Sequence, residues 1–472
     1  MFISKNKLQL GVHSLALSIA IVLVSGCAEL PKCCGDSPAL QAKKNVVRVT
    51  DSNVAELINT RAVFHDAALN PELYVTQYPL YLLGIEKPRT NTSDFYKKAF
   101  PKFDINNLQI PDKKDIEDVL DDGHTMVLTH ALKTKQSDLN QNQKECFIYN
   151  VYKTKESASW CKHNHIIQIK ESDESWKQEG WNGLKLLGDE IKEAVQHQNG
   201  GKATHIIVLA TGWNTEEYES YWDFKAWMDQ LTEDFKGKGD FRPIFVGISW
   251  ESQWGWSEVF SFANKGNDAD EIGFTWANYL LNDILKPIVS DSDVQLVAIG
   301  HSFGSRIVMG SHYARKIIVR HDENAADTTP VTLIGLQAAF PTGRFSKDRG
   351  KKHPYNTNYK DPATVVITTS TKDKATGMIN AFTTGYIGGE GGIEELTEKK
   401  DDYKSAITLF DVVDVDKMGQ PTIKDLDKTK VSVYNATPFV ECELQGTSSG
   451  AHSDVYDKAM GHFLGEIIRK SK

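Results

Sequence analysis

Apolar residues recur along this chain in two spacings. Short, largely β-branched runs stand at Thr125–Leu128, Phe147–Val151, Ile166–Ile169, Ile206–Ala210, Ile244–Ile248, Val294–Ile299, Val331–Leu336, Val365–Thr368 and Val431–Tyr434. Elsewhere the spacing lengthens to three or four residues. Leu184, Leu187, Ile191 and Val195 make one such series, and Tyr221, Phe224, Met228 and Leu231 a second. Ile307, Ala314, Ile317 and Ile318 share a third apolar face, and Val455, Met460, Phe463, Leu464, Ile467 and Ile468 a fourth. The short runs have the pattern of strands buried on both faces, the longer spacing that of helices with one apolar stripe. Such strands need cover on both sides, so the alternation from Ile206 onward predicts an α/β fold, a mostly parallel sheet with helices on both faces. The two or three runs before Leu184 predict an antiparallel edge. Asn214, with Glu217 three residues later, has capping-box spacing and predicts the start of the second helix.

The regular pattern begins near His124. At the other end, Lys5 and Lys7 precede an apolar run, Leu15 to Val24, that is too short to span a bilayer, and Val24-Ser25-Gly26-Cys27 follows. This resembles the lipobox of bacterial lipoproteins. The resemblance implies cleavage before Cys27, a lipid on Cys27 and anchoring to a membrane of the bacterial cell envelope. Ala28, rather than Asp, implies the outer membrane if the source is Gram-negative. An ordinary secretory signal is the alternative, and the chain is expected to be exported in either case. The expected division is therefore a signal peptide at 1–26, a tether and N-terminal extension at 27–120 whose role is not legible, and the α/β domain at 121–472.

Composition narrows the function classes. With 25% charged and 40% hydrophobic residues over 472 positions, the chain is neither a polytopic membrane protein nor a disordered one. The formal charge of −9 argues against a nucleic-acid partner, whose phosphates require a basic surface. Six cysteines include Cys27, which leaves Cys33, Cys34, Cys146, Cys161 and Cys442. In an oxidising compartment a hairpin could set Cys146 opposite Cys161, and that pair is the expected disulfide. Cys161, His163 and His165 could line one face of a strand as metal ligands, but no second ligand pair with zinc-like spacing accompanies them, so exposed histidines are the expectation and no metal is assigned. Asp414-x-Asp416-x-x-Gly419 partly matches a calcium loop. Met418 at a ligand position and Asp425 in place of Glu favour a strand-connecting turn.

The segment that carries chemistry is Gly300-His301-Ser302-Phe303-Gly304, which closes an apolar strand and opens an amphipathic helix. G-x-S-x-G alone is common. Placed between strand and helix it has the setting of a nucleophile elbow, with glycines for the tight turn, the serine at the tip and a helix N-terminus aimed at developing negative charge. On these residues the chain, from about residue 124 to its end, resembles the α/β-hydrolase superfamily, in particular bacterial hydrolase-like proteins in which a strand ends in Gly-Trp/Tyr-Asn. The resemblance implies an eight-stranded sheet with Ile206–Ala210 third and Val294–Ile299 fifth, and the chain order serine, acid, histidine. It also implies that Ala210-Thr211-Gly212-Trp213-Asn214 completes an oxyanion hole, with the N–H of Gly212 or Trp213 beside that of Phe303. Thr211 stands where many relatives have His.

A serine hydroxyl attacks only when a neutral imidazole takes its proton, and a carboxylate fixes that imidazole's tautomer. Asp373 follows the run at Val365–Thr368, where the family's acid stands; Asp361 and Asp348 fit less well. His452, between the last strand and the last helix with Gly450 and Ala451 before it, resembles the family's histidine. His301 is expected to be a structural or pocket neighbour, and His462 a helix residue. Aromatics from Trp250 through Trp254, Trp256, Phe260 and Phe262 fit an acyl pocket or lid and fit core packing equally. The expected function is an exported serine hydrolase, esterase- or lipase-like, without cofactor, acting on a small-molecule or lipid ester through an acyl-enzyme on Ser302. The rival expectation is a non-catalytic surface lipoprotein that uses the fold as a binding scaffold. Oligomeric state and acyl-chain length are not legible.

Overall fold

The computed structural model describes residues 73–87, 126–137, 146–151, 160–166, 175–197, 201–252, 258–290, 292–313, 329–345, 362–375, 386–416, 419–423, 426–442 and 450–472. Eleven strands form one sheet: β1 (Leu80–Glu86), β2 (Val127–Lys133), β3 (Cys146–Asn150), β4 (Trp160–Ile166), β5 (His205–Ala210), β6 (Pro243–Trp250), β7 (Gln295–His301), β8 (Val331–Leu336), β9 (Ala363–Thr369), β10 (Ile407–Val412) and β11 (Val431–Asn435). Their order across the sheet is β10-β11-β9-β8-β7-β5-β6-β1-β2-β3-β4. Every pairing from β10 to β1 is parallel. β2 alone runs against its neighbours β1 and β3, and β4 pairs with β3 in parallel.

The architecture is thus α/β with a mostly parallel sheet, but of eleven strands where eight were expected. The additions lie at the flanks and in one internal position. β1, residues 80–86, is buried throughout and sits between β6 and β2, so the expected boundary near residue 121 does not separate the N-terminal segment from the sheet. Each of its fully buried leucines contributes roughly 1.5–3 kcal/mol of transfer free energy, which makes β1 part of the core rather than an appendage. Gly84 is required there, because the His130 ring of β2 occupies the space a Cβ would fill. The antiparallel edge is present only in part, through β2.

Helices cover both faces. Gly247 of β6 meets Phe224 of α2 (Glu217–Phe235), whereas the adjacent Ile248 lines a small apolar gap with Leu280 and Ile307. Ile307 belongs to α4 (Gly304–Tyr313), which packs on β7 and β8 and on α3 (Glu258–Ile272). α1 (Ser175–Gln196) packs on β2, β3 and β4; α5 (Glu390–Glu398) follows β9; and α6 (Lys458–Ser471) packs on α2. The capping box that opens α2 joins Glu216 and Glu219, two residues beyond the expected Asn214 and Glu217, because Asn214 is itself in the turn at φ 63°. Asp414–Val415 and Pro421–Thr422 form a small antiparallel ladder, closed by Gly419 at φ 76°, so the calcium-like segment is a strand-connecting turn.

The Cys27 boundary lies outside the described residues, and no described helix is long and apolar enough to cross a membrane. Cys146 and Cys442 are both disulfide-bonded. β3 and β4 do not make the expected hairpin, and the side chains of Cys161, His163 and His165 lie outside the described residues. Among the described residues no group of His, Cys, Asp and Glu is arranged to hold a metal ion.

Candidate active site

Adjacent parallel strands carry their carboxyl ends to one edge of the sheet, and the unusual backbone gathers there. Three non-glycine residues have positive φ among those described: Asn214 after β5, Ser302 after β7 and Gln337 after β8, which are neighbouring strands. Left-handed non-glycine residues cost of order 1–3 kcal/mol each and persist only where surrounding contacts over-determine them. At Ser302 (φ 54°) those contacts are evident. Its N–H donates to Leu336 O (2.9 Å), its carbonyl accepts from Ala339 N (3.2 Å) and Ser305 N (3.1 Å), and Ser305 Oγ returns to Gly300 O (2.8 Å). The glycines of the elbow are required by close approach. A Cβ on Gly300 would lie 2.3 Å from Gly304 O, and one on Gly304 would lie 2.2 Å from Ala210 O at the end of β5.

The same closeness brings the 211–214 turn against the serine. A Cβ on Gly212 would stand 2.7 Å from Ser302 Cβ and 3.3 Å from Oγ, so only glycine lets this backbone pass the hydroxyl. Trp250 Nε1 donates to Thr211 O (3.0 Å), and Thr211 Oγ1 and Ser220 Oγ are hydrogen-bonded at 2.8 Å, which pins the turn to β6 and α2. Thr211 therefore holds the turn with its carbonyl and its hydroxyl together. Trp250 itself is fully buried core; Trp254 and Trp256, and the side chains of Phe260 and Phe262, lie outside the described residues. Phe303 is buried behind the serine, with the Arg306 guanidinium 4.9 Å over its ring. Arg306 and Arg344 both pair with the buried Asp270, fastening α4 to the chain that follows β8.

Asp373 and His452, 79 positions apart, meet directly. His452 Nδ1 donates to Asp373 Oδ2 at 2.8 Å, with side-chain exposures of 12% and 0%. Their loops are paired: Asp373 and Gly450 form a bridge, and Ala451 N donates to Lys372 O at 2.9 Å. Gly450 has φ 57°, and a Cβ there would come within 2.2 Å of Lys372 O, so glycine is what allows the two loops to close on each other. Asp454 anchors the far side of the loop by accepting from Glu441 N (3.0 Å) and Cys442 N (2.8 Å). Asp457 caps α6, accepting from Met460 N at 2.8 Å; burial is the largest influence on this carboxyl and raises its pKa to about 6, with the nearby Asp454 adding to the shift.

Ser302 is 4% exposed, and His301, next to it in the chain, has its ring centroid 4.8 Å from that of His452. No hydrogen bond joins Ser302 Oγ to the His452 ring among the described residues. The edge thus assembles a strained serine at a helix N-terminus, a glycine-lined backbone turn against it and a carboxylate-oriented imidazole. His462, by contrast, pairs with the buried Asp234 of α2 at 2.7 Å and ties α6 to that helix, and Asp361 and Asp348 lie outside the described residues. The roles of Gly450 and His301 in holding the histidine loop are not visible in a motif; only the left-handed turn and the ring contact display them.

No family model matches the chain, and no curated protein matches it.

Proposed function

We propose that this protein is a serine hydrolase of the α/β-hydrolase fold that cleaves an ester-type bond through an acyl-enzyme on Ser302. The observation that carries the reading is the left-handed Ser302 beside a hydrogen-bonded His452–Asp373 pair at one edge of a parallel sheet. In this mechanism Ser302 Oγ attacks the carbonyl carbon while His452 Nε2 takes its proton, and Asp373 holds Nδ1–H so that Nε2 is the free acceptor. The Ser302–His452 hydrogen bond is formed in the substrate complex, as catalytic hydrogen bonds commonly are. The oxyanion is received by the N–H of Phe303 and that of Gly212 or Trp213. His452 returns the proton to the leaving alcohol, then activates a water that releases the acid and frees Ser302.

The sequence adds a location to this chemistry: export, a lipid on Cys27 and anchoring in the bacterial envelope, at the outer membrane in a Gram-negative source. Mass spectrometry of the membrane-extracted N-terminus tests that anchor, and an unmodified terminus beginning elsewhere rejects it. Cys161 remains the proposed partner of Cys146, to be checked by peptide mapping without reductant. The activity itself is tested with a fluorophosphonate probe on the purified protein. Labelling of wild type that disappears in Ser302→Ala supports the hydrolase; a folded wild type that stays unlabelled favours a binding scaffold.

A further inference from the structure

The triad leaves one buried, titratable ring at the nucleophile without a task. His301 ends β7, immediately before Ser302, and is almost fully buried. Its Nε2 lies 2.9 Å from the backbone carbonyl oxygen of His452. A carbonyl only accepts, so Nε2 carries the proton and donates it. Burial lowers the His301 pKa to about 3, and the neighbouring His452 acts in the same direction, so the ring is neutral and its single N–H proton is committed to that carbonyl. On the other side of the ring, Nδ1 faces the Tyr456 hydroxyl at 3.4 Å, and Tyr456 is itself hydrogen-bonded to Asp223 of α2. Both ring nitrogens thus face the histidine loop, Nε2 its backbone at His452 and Nδ1 the hydroxyl of Tyr456, rather than Ser302 Oγ.

The contacts around the 450–456 loop divide by destination. Ala451 N and the His452 ring reach the Asp373 side, Trp227 Nε1 reaches Val455 O (2.9 Å) from α2, and Asp454 reaches residues 441 and 442. The bonds that reach the strand carrying Ser302 come from His301. We propose that His301 is a positioning residue, whose Nε2–H clamps the His452 backbone to the nucleophile elbow and thereby sets the distance between the His452 imidazole and Ser302 Oγ. Its catalytic consequence rests on the serine-hydrolase reading; the clamp itself does not.

The experiment compares His301→Leu, which fills space but cannot donate, with His301→Gln, whose amide N–H can reach the same carbonyl. His301→Asn, polar but too short to reach it, is the second donor-less variant should the leucine protein not fold. With a p-nitrophenyl ester, the donor-less variants are expected to lose on the order of 10²-fold in kcat, the penalty for displacing a catalytic group by about 1 Å, with KM little changed and most of the loss restored in His301→Gln. Equal impairment of the donor-less and glutamine proteins would mean that the ring only fills space, and an unimpaired His301→Leu would equally overturn the clamp. A second readout does not depend on turnover. The His452 Nδ1–H proton, bonded to Asp373, should give a slowly exchanging downfield NMR resonance in wild type and His301→Gln that broadens or vanishes in the donor-less proteins. If folded wild type neither turns over ester nor takes the fluorophosphonate, the hydrolase reading fails while this resonance still decides the clamp; its persistence in His301→Leu rejects it.

Discussion

Among the described residues, one histidine–carboxylate pair, His452–Asp373, stands beside Ser302, and another, His130–Glu217, is enclosed among β1, β2 and the start of α2. His452 and Asp373 are 2.8 Å apart with 12% and 0% of their side chains exposed, next to a serine at φ 54°. His130 and Glu217 are 2.5 Å apart with neither side chain exposed, and their neighbours are Gly84, whose missing side chain makes room for the ring, and Thr129, whose hydroxyl donates to Glu86 at 2.8 Å. The bond is chemically the same. In the first pair the imidazole stays partly exposed, held by two paired loops; in the second it ties β2 to the start of α2 and is sealed in. A histidine oriented by a carboxylate is therefore a structural strut unless it also has access and a hydroxyl to deprotonate. That distinction lies in the backbone around the pair rather than in the pair.

The comparison breaks most readily at the serine. Ser302→Ala and His452→Ala should each abolish nearly all esterase turnover, by roughly 10⁶-fold in kcat if they act as a unit, and the double variant should lose little more. Turnover of His452→Ala close to wild type would remove it from the role of base. Asp373→Asn should fold yet lose on the order of 10⁴-fold, because the amide stabilises the wrong imidazole tautomer. The matching change in the other pair, Glu217→Gln, should leave kcat per folded molecule unchanged. It should instead cost on the order of 1–3 kcal/mol of stability in urea denaturation, the range for disturbing a fully buried hydrogen bond. A Glu217→Gln protein that is stable but inactive would show that the two pairs do not differ as argued.

How far this difference could be read from the chain depends on the range of the interactions. The strands β5 to β9 and β11 follow from continuous apolar runs, because a strand buried on both faces has no polar alternation to hide it. β1 escaped the same reading although it too is apolar: Pro79 before it, Pro88 after it and Gly84 within it are signals for a turn, and only the His130 ring explains the glycine. β10 sits at the sheet margin, where a strand is read least easily. The elbow was legible because its glycines, serine and flanking elements are adjacent in sequence. Asp373 and His452 were reached through the order that the family resemblance implies; no spacing rule joins residues 79 positions apart, and the bridge between their loops forms only after the sheet has placed both.

That bridge offers a smaller and sharper test. Gly450 is left-handed, and a Cβ would press on Lys372 O, so Gly450→Ala must either strain the turn or open the two loops. A shift of about 1 Å in His452 should reduce kcat on the order of 10²-fold while Ser302 and its elbow stay intact. Retained labelling by fluorophosphonate at a slower rate would accompany this. Wild-type labelling speed in Gly450→Ala would mean that the loop positions are set elsewhere, leaving His301 and Asp454 as the remaining ties.

The smallest expected effect concerns pH, and its sign differs between the buried imidazoles and a buried carboxyl. Buried, neutral His301 and His205 have pKa values lowered to about 3 and about 4, chiefly by burial, below the 6.5 of a free imidazole. The unfolded chain binds those protons first, so both rings contribute stability that is complete above pH 6.5 and lost as pH falls through their folded values. Asp457 acts in the opposite sense. Its folded pKa of about 6 lies above the usual carboxylate value, so the folded protein holds that proton more firmly, and stability declines as pH rises from about 4 through 6. A shift of this size corresponds to at most about 3 kcal/mol, reduced by the solvent that still reaches the carboxyl. Asp457→Asn keeps an oxygen to accept from Met460 N and cannot ionise. Urea denaturation should find the variant equal to wild type near pH 4 and more stable than wild type at pH 7. Should the asparagine protein instead be the weaker one at pH 7, the attraction between the carboxylate and the N-terminus of α6 outweighs its desolvation, and the cap next to His452 is an ionised one.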